Sequence, residues 1–418
     1  MPNAISRRNF LKRAAAATGA TLAFPYIVPS SVFGANAPSK RITGAAIGLG
    51  WQGSGNWGSL RGMLQPVAVC DVDRNHAQAH AGKDCRVYTD YREMLEKEKP
   101  DVVTIAVPDN WHAKIATDVM RSGADVYGEK PLARTLREGR AIAEAARRYG
   151  RIWQTGSWQR SGGEFQQAVE LVRNGRLGKI SKVEVRVGGG VGNYGGHQGA
   201  PIQAPPPELN YDMWLGPAPV HPYRTNTTHV HWRWVSDFGG GMLMDWIGHH
   251  GDIALWALGL DRTGPVSIQG TGRVANLPEW DILEHFDINC TFANGIEMNI
   301  GTQGSHAKFY GERGWLEVGR GHIDANPKSI LKEQIEAGEI RIGRHKSHWQ
   351  DFMDCVRTRQ ETIAPAESAH RAASLGQLGE IAILTGRKLQ WNPATEQISN
   401  DPAASALLTR PYREPWIL

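Results

Sequence analysis

The chain has 418 residues, 41% of them apolar, and a formal net charge of +5, which is material for two domains rather than one. Four of the surplus positive charges, Arg7, Arg8, Lys12 and Arg13, lie in a segment without Asp or Glu, residues 1–37; the remainder is near neutral and has no basic run, which argues against a nucleic-acid partner. Cys70, Cys85, Cys290 and Cys355 are widely separated with no CxxC spacing, which argues against a metal centre and against a disulfide.

Ser6-Arg7-Arg8-Asn9-Phe10-Leu11-Lys12 is a twin-arginine export motif. An apolar stretch, Ala14 to Val28, and a small-residue cleavage site, Ala35-Asn36-Ala37, follow it. Residues 1–37 are therefore expected to be a signal peptide, and the protein to be periplasmic or secreted. The apolar stretch is short and broken by Gly19 and Pro25, so no integral membrane span is expected in the mature chain. Twin-arginine export carries proteins already folded, so a cofactor acquired in the cytoplasm would travel with the protein.

The next stretch, Arg41 to Asp73, organises the rest. An apolar strand, Ile42 to Ile47, leads into Gly48-Leu49-Gly50-Trp51-Gln52-Gly53, and a second apolar run, Pro66 to Cys70, ends at Asp71. A G-x-G-x-x-G turn between a strand and a helix brings backbone N–H groups to a pyrophosphate, and an acid about 20 residues on accepts ribose hydroxyls. Asp71 lies 23 residues after Gly48, and its carboxylate favours NAD over NADP by repelling a 2′-phosphate. Gly55, Gly58 and Gly62 fall in the expected helix, each costing about 1 kcal/mol relative to alanine. That helix must be held by packing, or be short.

Beyond Asp71, helix and strand alternate. Tyr91 to Glu98, Trp111 to Arg121 and Leu136 to Tyr149 read as helices; Asp101 to Val107, Asp125 to Gly128 and Arg151 to Gln154 read as strands. This predicts a doubly wound parallel sheet over 38–160. Its crevice would receive Pro108, Trp111, His112, Glu129, Lys130 and the segment Gly156 to Arg160 at the strand ends. From 161 to 418 the pattern becomes a second α/β domain on a mostly antiparallel sheet. Its predicted strands are Ile180 to Val187, Val266 to Val274, Phe286 to Phe292, Ile296 to Thr302, Lys308 to Tyr310 and Gly314 to Val318, with helices over 242–258, Lys346 to Arg359 and Ala366 to Gly386.

The second informative stretch runs from Gly239 to Asp252. If it is helical, Asp245 and His249 share a face at i, i+4, with Asp252 near it and His250 pointing elsewhere. A carboxylate beside an imidazole suits a general base near neutral pH; a buried structural hydrogen bond would show the same spacing. Lys130, between Glu129 and Pro131, is either a solvated turn residue or a donor to a substrate hydroxyl. Tyr223 to Trp234 is loaded with His, Arg and Trp, and Trp232 and Arg233 are candidates for a sugar subsite, or else parts of a packed loop.

Together, Gly48-x-Gly50-x-x-Gly53, Pro108-Asp109-Asn110-Trp111-His112, Glu129-Lys130-Pro131 and Gly239-Gly240-Gly241 with Asp245-x-x-x-His249 resemble the glucose-fructose oxidoreductase / inositol dehydrogenase / MocA (Gfo/Idh/MocA) family. The resemblance covers essentially the whole mature chain. It implies a Rossmann domain followed by an α/β domain whose open sheet forms homo-oligomer contacts. It further implies that Lys130 is a catalytic lysine preceding a cis-proline peptide, and that Asp245 and His249 are the Asp/His pair with His249 as acid/base. Trp111 and His112 would lie against the cofactor, and Arg160 would face cofactor and substrate.

The expected activity is hydride transfer between a sugar or polyol carbinol and tightly bound NAD. A redox-neutral NAD-dependent glycosidase remains open, with an extra C–H base from residues 193–234. So does a nucleotide-bound sugar-binding protein without turnover.

Overall fold

The computed structural model describes residues 41–418 apart from 84, 193, 195–197, 343–346 and 400, so the predicted export segment lies outside the described residues. The first sheet has six parallel strands, β1 (Thr43–Ile47), β2 (Gln65–Cys70), β3 (Arg86–Tyr88), β4 (Val102–Ile105), β5 (Asp125–Gly128) and β6 (Trp153–Thr155). Their spatial order is β3-β2-β1-β4-β5-β6, and the reversal between β1 and β4 opens a crevice beyond their carboxyl ends. The central strands are fully buried because helices cover both faces; Ala45, Ala46, Val102, Val103 and Val126 have no exposed surface.

The glycine-rich helix spans Trp51–Leu60 and contains two of the three glycines expected there; Gly62 falls in the tighter turn Arg61–Met63. Packing holds it. Asn56, Trp57 and Leu60 are buried, and Trp57 joins a cluster with Ala46, Leu49, Val69, Ala77 and Ala81. A Cβ at Gly55 or Gly58 would meet open space. Gly55→Ala and Gly58→Ala are therefore expected to stabilise the protein by about 0.5–1 kcal/mol each. Thermal unfolding checks this, and a lowered midpoint would count against packing as the only restraint.

The second sheet has nine strands. They are β7 (Ile180–Arg186), β8 (Ser267–Val274), β9 (Leu283–Thr291), β10 (Glu297–Gly301), β11 (His306–Gly311), β12 (Gly314–Gly319), β13 (His322–Asn326), β14 (Leu389–Asn392) and β15 (Gln397–Ile398). The order is β13-β12-β11-β7-β10-β9-β8-β14-β15, antiparallel except for the β7–β10 pair. Along β9, Phe286, Ile288 and Cys290 point inward and His285, Asp287 and Asn289 outward, as strand alternation requires. Helices Gly163–Arg173, Asp252–Leu258 and Ala366–Thr385 pack on the apolar face. The opposite face is polar: Asn299 Nδ2 donates to Asp287 and Asn289, at 2.7 and 3.0 Å. Among the described residues, no helix is long and apolar enough to cross a membrane.

Residues Ile42–Leu418 form one compact unit, and the segment 408–416 helps to close it. Leu408 O accepts from Arg137 N. Arg410 donates to Asn110 O, Asp237 O and Glu138, and Arg413 reaches Gly216 O. Trp416 packs edge-on against Trp111, with ring centroids 4.7 Å apart.

Candidate active site

All the sequence-predicted site residues except Arg160 line one cleft of about 430 Å³. The cleft runs from the carboxyl end of β2, past those of β1, β4 and β5, to the helix that begins at Gly241. At the first end, Gly48 adopts φ +81°, and a Cβ there would strike the carbonyl of Ala106. A Cβ at Gly53 would overlap the carbonyl of Gly48, whereas Gly50 faces open space. The three glycines thus close the turn, pack helix on strand and leave room for a pyrophosphate. The helix starting at Trp51 has no side-chain cap, so its first N–H groups are free for an anion. The residues present fit a dinucleotide.

Asp71 sits at the tip of β2 and accepts from Leu49 N at 2.6 Å and from Asp73 N at 2.9 Å. That fixes its carboxylate toward the ribose position. His76 lies 3.8 Å from Asp71, and that carboxylate raises the imidazole pKa against the opposing effect of burial. His229 reaches the same end, 3.6 Å from Asp73, so part of the His-rich segment lies at the Asp71 end of the cleft. Its neighbours divide. Trp232 and Arg233 line the cleft, while Trp234 is wholly buried beside Trp280.

The strand ends between are cross-tied. His112 sets one ring nitrogen 2.8 Å from Pro131 O and the other 2.9 Å from Val107 O, and the neutral ring donates its one N–H to one of these two carbonyls, after β5 or after β4. Burial lowers its pKa. Trp111 donates from Nε1 to Met213 O and Trp214 O, so it borders the cleft as a packed wall. Glu129 accepts from Asn56 Nδ2 at 2.9 Å and from Lys130 N at 3.2 Å. The Lys130–Pro131 peptide is cis.

At the other end, Lys130 Nζ donates to Asp245 Oδ1 at 2.7 Å and to Asp245 O at 3.1 Å, which leaves its third proton free. Tyr194 Oη donates to Asp245 Oδ2 at 3.0 Å. Burial opposes ionisation of Asp245, yet the charges of Lys130 and Arg233 hold its carboxyl far below the usual range. No hydrogen bond joins Asp245 to His249; the expected pairing is replaced by the lysine and the tyrosine. His249 is buried, its Nδ1 has no partner, and its ring packs against Trp246 and Trp158. Burial, then the charges of Lys130 and Arg320, push its pKa well below the ordinary imidazole value. It is neutral at neutral pH, the protonation state a general base requires.

The local reason is a wide turn. Gly241–Trp246 is α-helical, Ile247–Gly251 is a π-turn, and Asp252–Leu258 resumes the α-helix. The i→i+5 turn shifts the helical register, so Asp245, His249 and Asp252 do not form one stripe. Asp252 turns toward Arg160 and receives Nε and Nη2, both at 2.7 Å. Arg160 also contacts Asp261 and Ile363 O and is 2% exposed. The expectation that Arg160 faces cofactor and substrate is thereby corrected: its donors are spent on a buried carboxylate, as a buried charge requires. The glycine triplet before Asp245 admits side chains rather than a ligand, with Trp232 beside Gly239 and Ile282 beside Gly241.

Tyr194, Trp158, Trp246, Arg320 and Asp109 also line the cleft. Burial pushes the Asp109 carboxyl up to about 7, against the pull of Arg233. Of the five, Tyr194 fell within the range considered for an extra base, and Trp158 lay in the segment placed at the crevice. Trp246 lay in the stretch Gly239 to Asp252 and Asp109 in the motif Pro108 to His112, and for Arg320 no local signal exists.

The chain matches the description "Oxidoreductase family, NAD-binding Rossmann fold" over residues 42–157 and "Oxidoreductase family, C-terminal alpha/beta domain" over residues 162–418. It is 25% identical to D-glucoside 3-dehydrogenase of Escherichia coli over 74% of this chain and 85% of that protein. It is 31% identical to an alpha-N-acetylgalactosaminidase of Shewanella oneidensis, over 42% of this chain and 44% of that protein. Among solved structures, the WlbA dehydrogenase of Bordetella pertussis, in complex with NADH and UDP-GlcNAcA, superposes with a TM-score of 0.63 at 18% identity, covering 83% of this chain and 98% of its own. Aldose-aldose oxidoreductase of Caulobacter crescentus superposes at 0.61, with 18% identity and coverages of 84% and 99%. With both halves matched in order and a dinucleotide crevice facing a lysine, an aspartate and a histidine, the chain belongs to the Gfo/Idh/MocA oxidoreductase family.

Proposed function

We propose that the protein is an exported oxidoreductase that moves a hydride between a sugar or polyol carbinol and NAD held in the cleft. The observation that carries this is the convergence of Lys130, with one proton uncommitted, and neutral His249 on one end of the cleft whose other end holds the glycine turn. Bound nicotinamide supplies the hydride acceptor. His249 takes the hydroxyl proton, and Lys130 stabilises the developing alkoxide. Asp245 orients Lys130 and offsets its charge rather than steering His249. Asp71 and Asp73 at the ribose end favour NAD over NADP by repelling a 2′-phosphate. Export to the periplasm or beyond, where free NAD is scarce, requires the cofactor to stay bound between turnovers. The uncovered polar face of the second sheet is the surface for association of copies of the chain.

The second reading is redox-neutral glycoside cleavage, favoured by the similarity to the alpha-N-acetylgalactosaminidase. It needs a further base for the C–H. Tyr194 stands in the right region, but burial and Asp245 raise its pKa, so it acts more readily as a donor. Purified residues 38–418, loaded with NAD and given free sugars and aryl glycosides, separate the readings. A stoichiometric rise in near-UV absorbance that stops until a second carbonyl compound is added supports the oxidoreductase. Aglycone release without net redox change supports the glycosidase. Tight binding of a sugar with neither signal supports a binding protein.

The assignment of His249 fixes a pH dependence. A base with a lowered pKa stays active until pH falls below the ordinary imidazole value, about 6.5. Asp109 titrates close to neutrality, so Asp109→Asn is used to remove its contribution. In that variant kcat/KM is expected to be flat from pH 8 to 6.5 and to fall at lower pH. A fall centred above 6.5 removes His249 from the role.

A further inference from the structure

The cationic groups at the substrate end exceed what the reaction requires. Arg320 sits in the turn between β12 and β13, at the mouth of the cleft. Its guanidinium lies between two indoles, 4.6 Å from the Trp158 ring centroid and 4.4 Å from that of Trp246. His249 packs on the same two rings, at 6.2 and 5.6 Å. No carboxylate among the described residues pairs with Arg320; with the Gln159 amide turned to satisfy both of its ends, that side chain's oxygen accepts from Arg320 Nε at 3.1 Å. The guanidinium stacks on two aromatic rings, which leaves its remaining N–H donors for an oxyanion, a group that a planar guanidinium takes through two parallel hydrogen bonds.

Arg233 repeats the theme. It stacks over Trp232 at 4.5 Å, and its buried Nε has no hydrogen-bond partner, lying 3.7 Å from Asp245. The carboxylates nearby are already engaged: Asp245 holds Lys130 and Tyr194, and Glu129 holds Asn56. Three cations, Lys130, Arg233 and Arg320, thus face the cleft, and the carboxylates Asp245 and Glu129 beside them already hold partners within the protein.

We infer that the substrate is an acidic sugar, bound with its oxyanion on the in-plane edge of Arg320 while the carbinol being oxidised lies between Lys130 and His249. This rests on the sugar-oxidising reading above and adds the chemical class of the substrate. A hexuronate carboxylate and a hexose sulfate ester share the chemistry; the planar fork of Arg320 suits the carboxylate better.

The test uses the NAD-loaded protein with methyl glycosides of glucuronate, galacturonate and mannuronate, their neutral parent hexosides and the 6-sulfated hexosides. Binding is followed by tryptophan fluorescence and turnover by cofactor absorbance. The expected result is a kcat/KM for one acidic sugar about 10- to 100-fold above its neutral parent, the worth of a charged hydrogen-bonded contact. The ratio should collapse toward unity in Arg320→Gln through KM, with partial recovery in Arg320→Lys. A higher ratio for sulfate than for carboxylate reassigns the anion but keeps the site. A wild-type ratio near unity, or an unchanged ratio in Arg320→Gln, overturns the inference while leaving sugar oxidation standing. Arg320-dependent binding of an acidic sugar with no redox signal from any sugar supports the site and rejects the oxidoreductase reading.

Discussion

Replacing Lys130 by methionine is expected to lower kcat/KM for sugar oxidation by about 10³-fold, the range lost when a donor to a developing oxyanion is removed. Two of the ammonium protons already rest on Asp245, so the third is the one that faces substrate. The glycine turn and Asp71 lie at the far end of the cleft, and NAD affinity should change little. Folding stability should fall by less than the roughly 3–5 kcal/mol of a broken buried ion pair, because Tyr194 and Arg233 stay against Asp245. Steady-state kinetics, cofactor titration and thermal unfolding measured together decide the matter. Lost cofactor binding, or a rate within tenfold of wild type, would remove Lys130 from the chemistry.

Arg160→Ala should do the reverse. Its bidentate contact with Asp252 is buried, and truncation leaves that carboxylate without its cation at a cost of about 3–5 kcal/mol. The urea midpoint should drop strongly, while KM for substrate and cofactor, measured on the folded fraction, stays near wild type. A raised KM at unchanged stability would restore Arg160 to the cleft.

That contrast marks where the sequence stopped being readable. The glycine turn, Asp71 and the strand ends are local patterns whose chemistry dictates their geometry, and they line the cleft. Lys130 is placed by the end of β5. The fate of Arg160 and Asp252 depends on the π-turn, where a 3.6-residue period fails; no residue between 247 and 251 announces it. Cleft partners from distant loops, such as Tyr194 on Asp245 and Arg320 between Trp158 and Trp246, arise from long-range packing that a linear pattern does not encode. The strands β3 and β15, of three and two residues, carry too few for alternation to register. The seating of His112 between two backbone carbonyls was invisible for another reason: backbone atoms have no letters.

The segment 408–416 has a consequence in time. Arg410 completes the hydrogen bonding of Asn110 O, and Trp416 completes the wall beside Trp111; both positions belong to the first turn of the helix after β4. On the ribosome, residue 160 emerges roughly 250 residues before this strap, an interval of about 12–50 s at ~5–20 residues per second. Until then the nucleotide-binding half waits with that flank uncovered. Commitment to the mature cleft is therefore a late event of synthesis, and a nonsense codon a few residues before Arg410 would be felt at a crevice whose own residues were made long before.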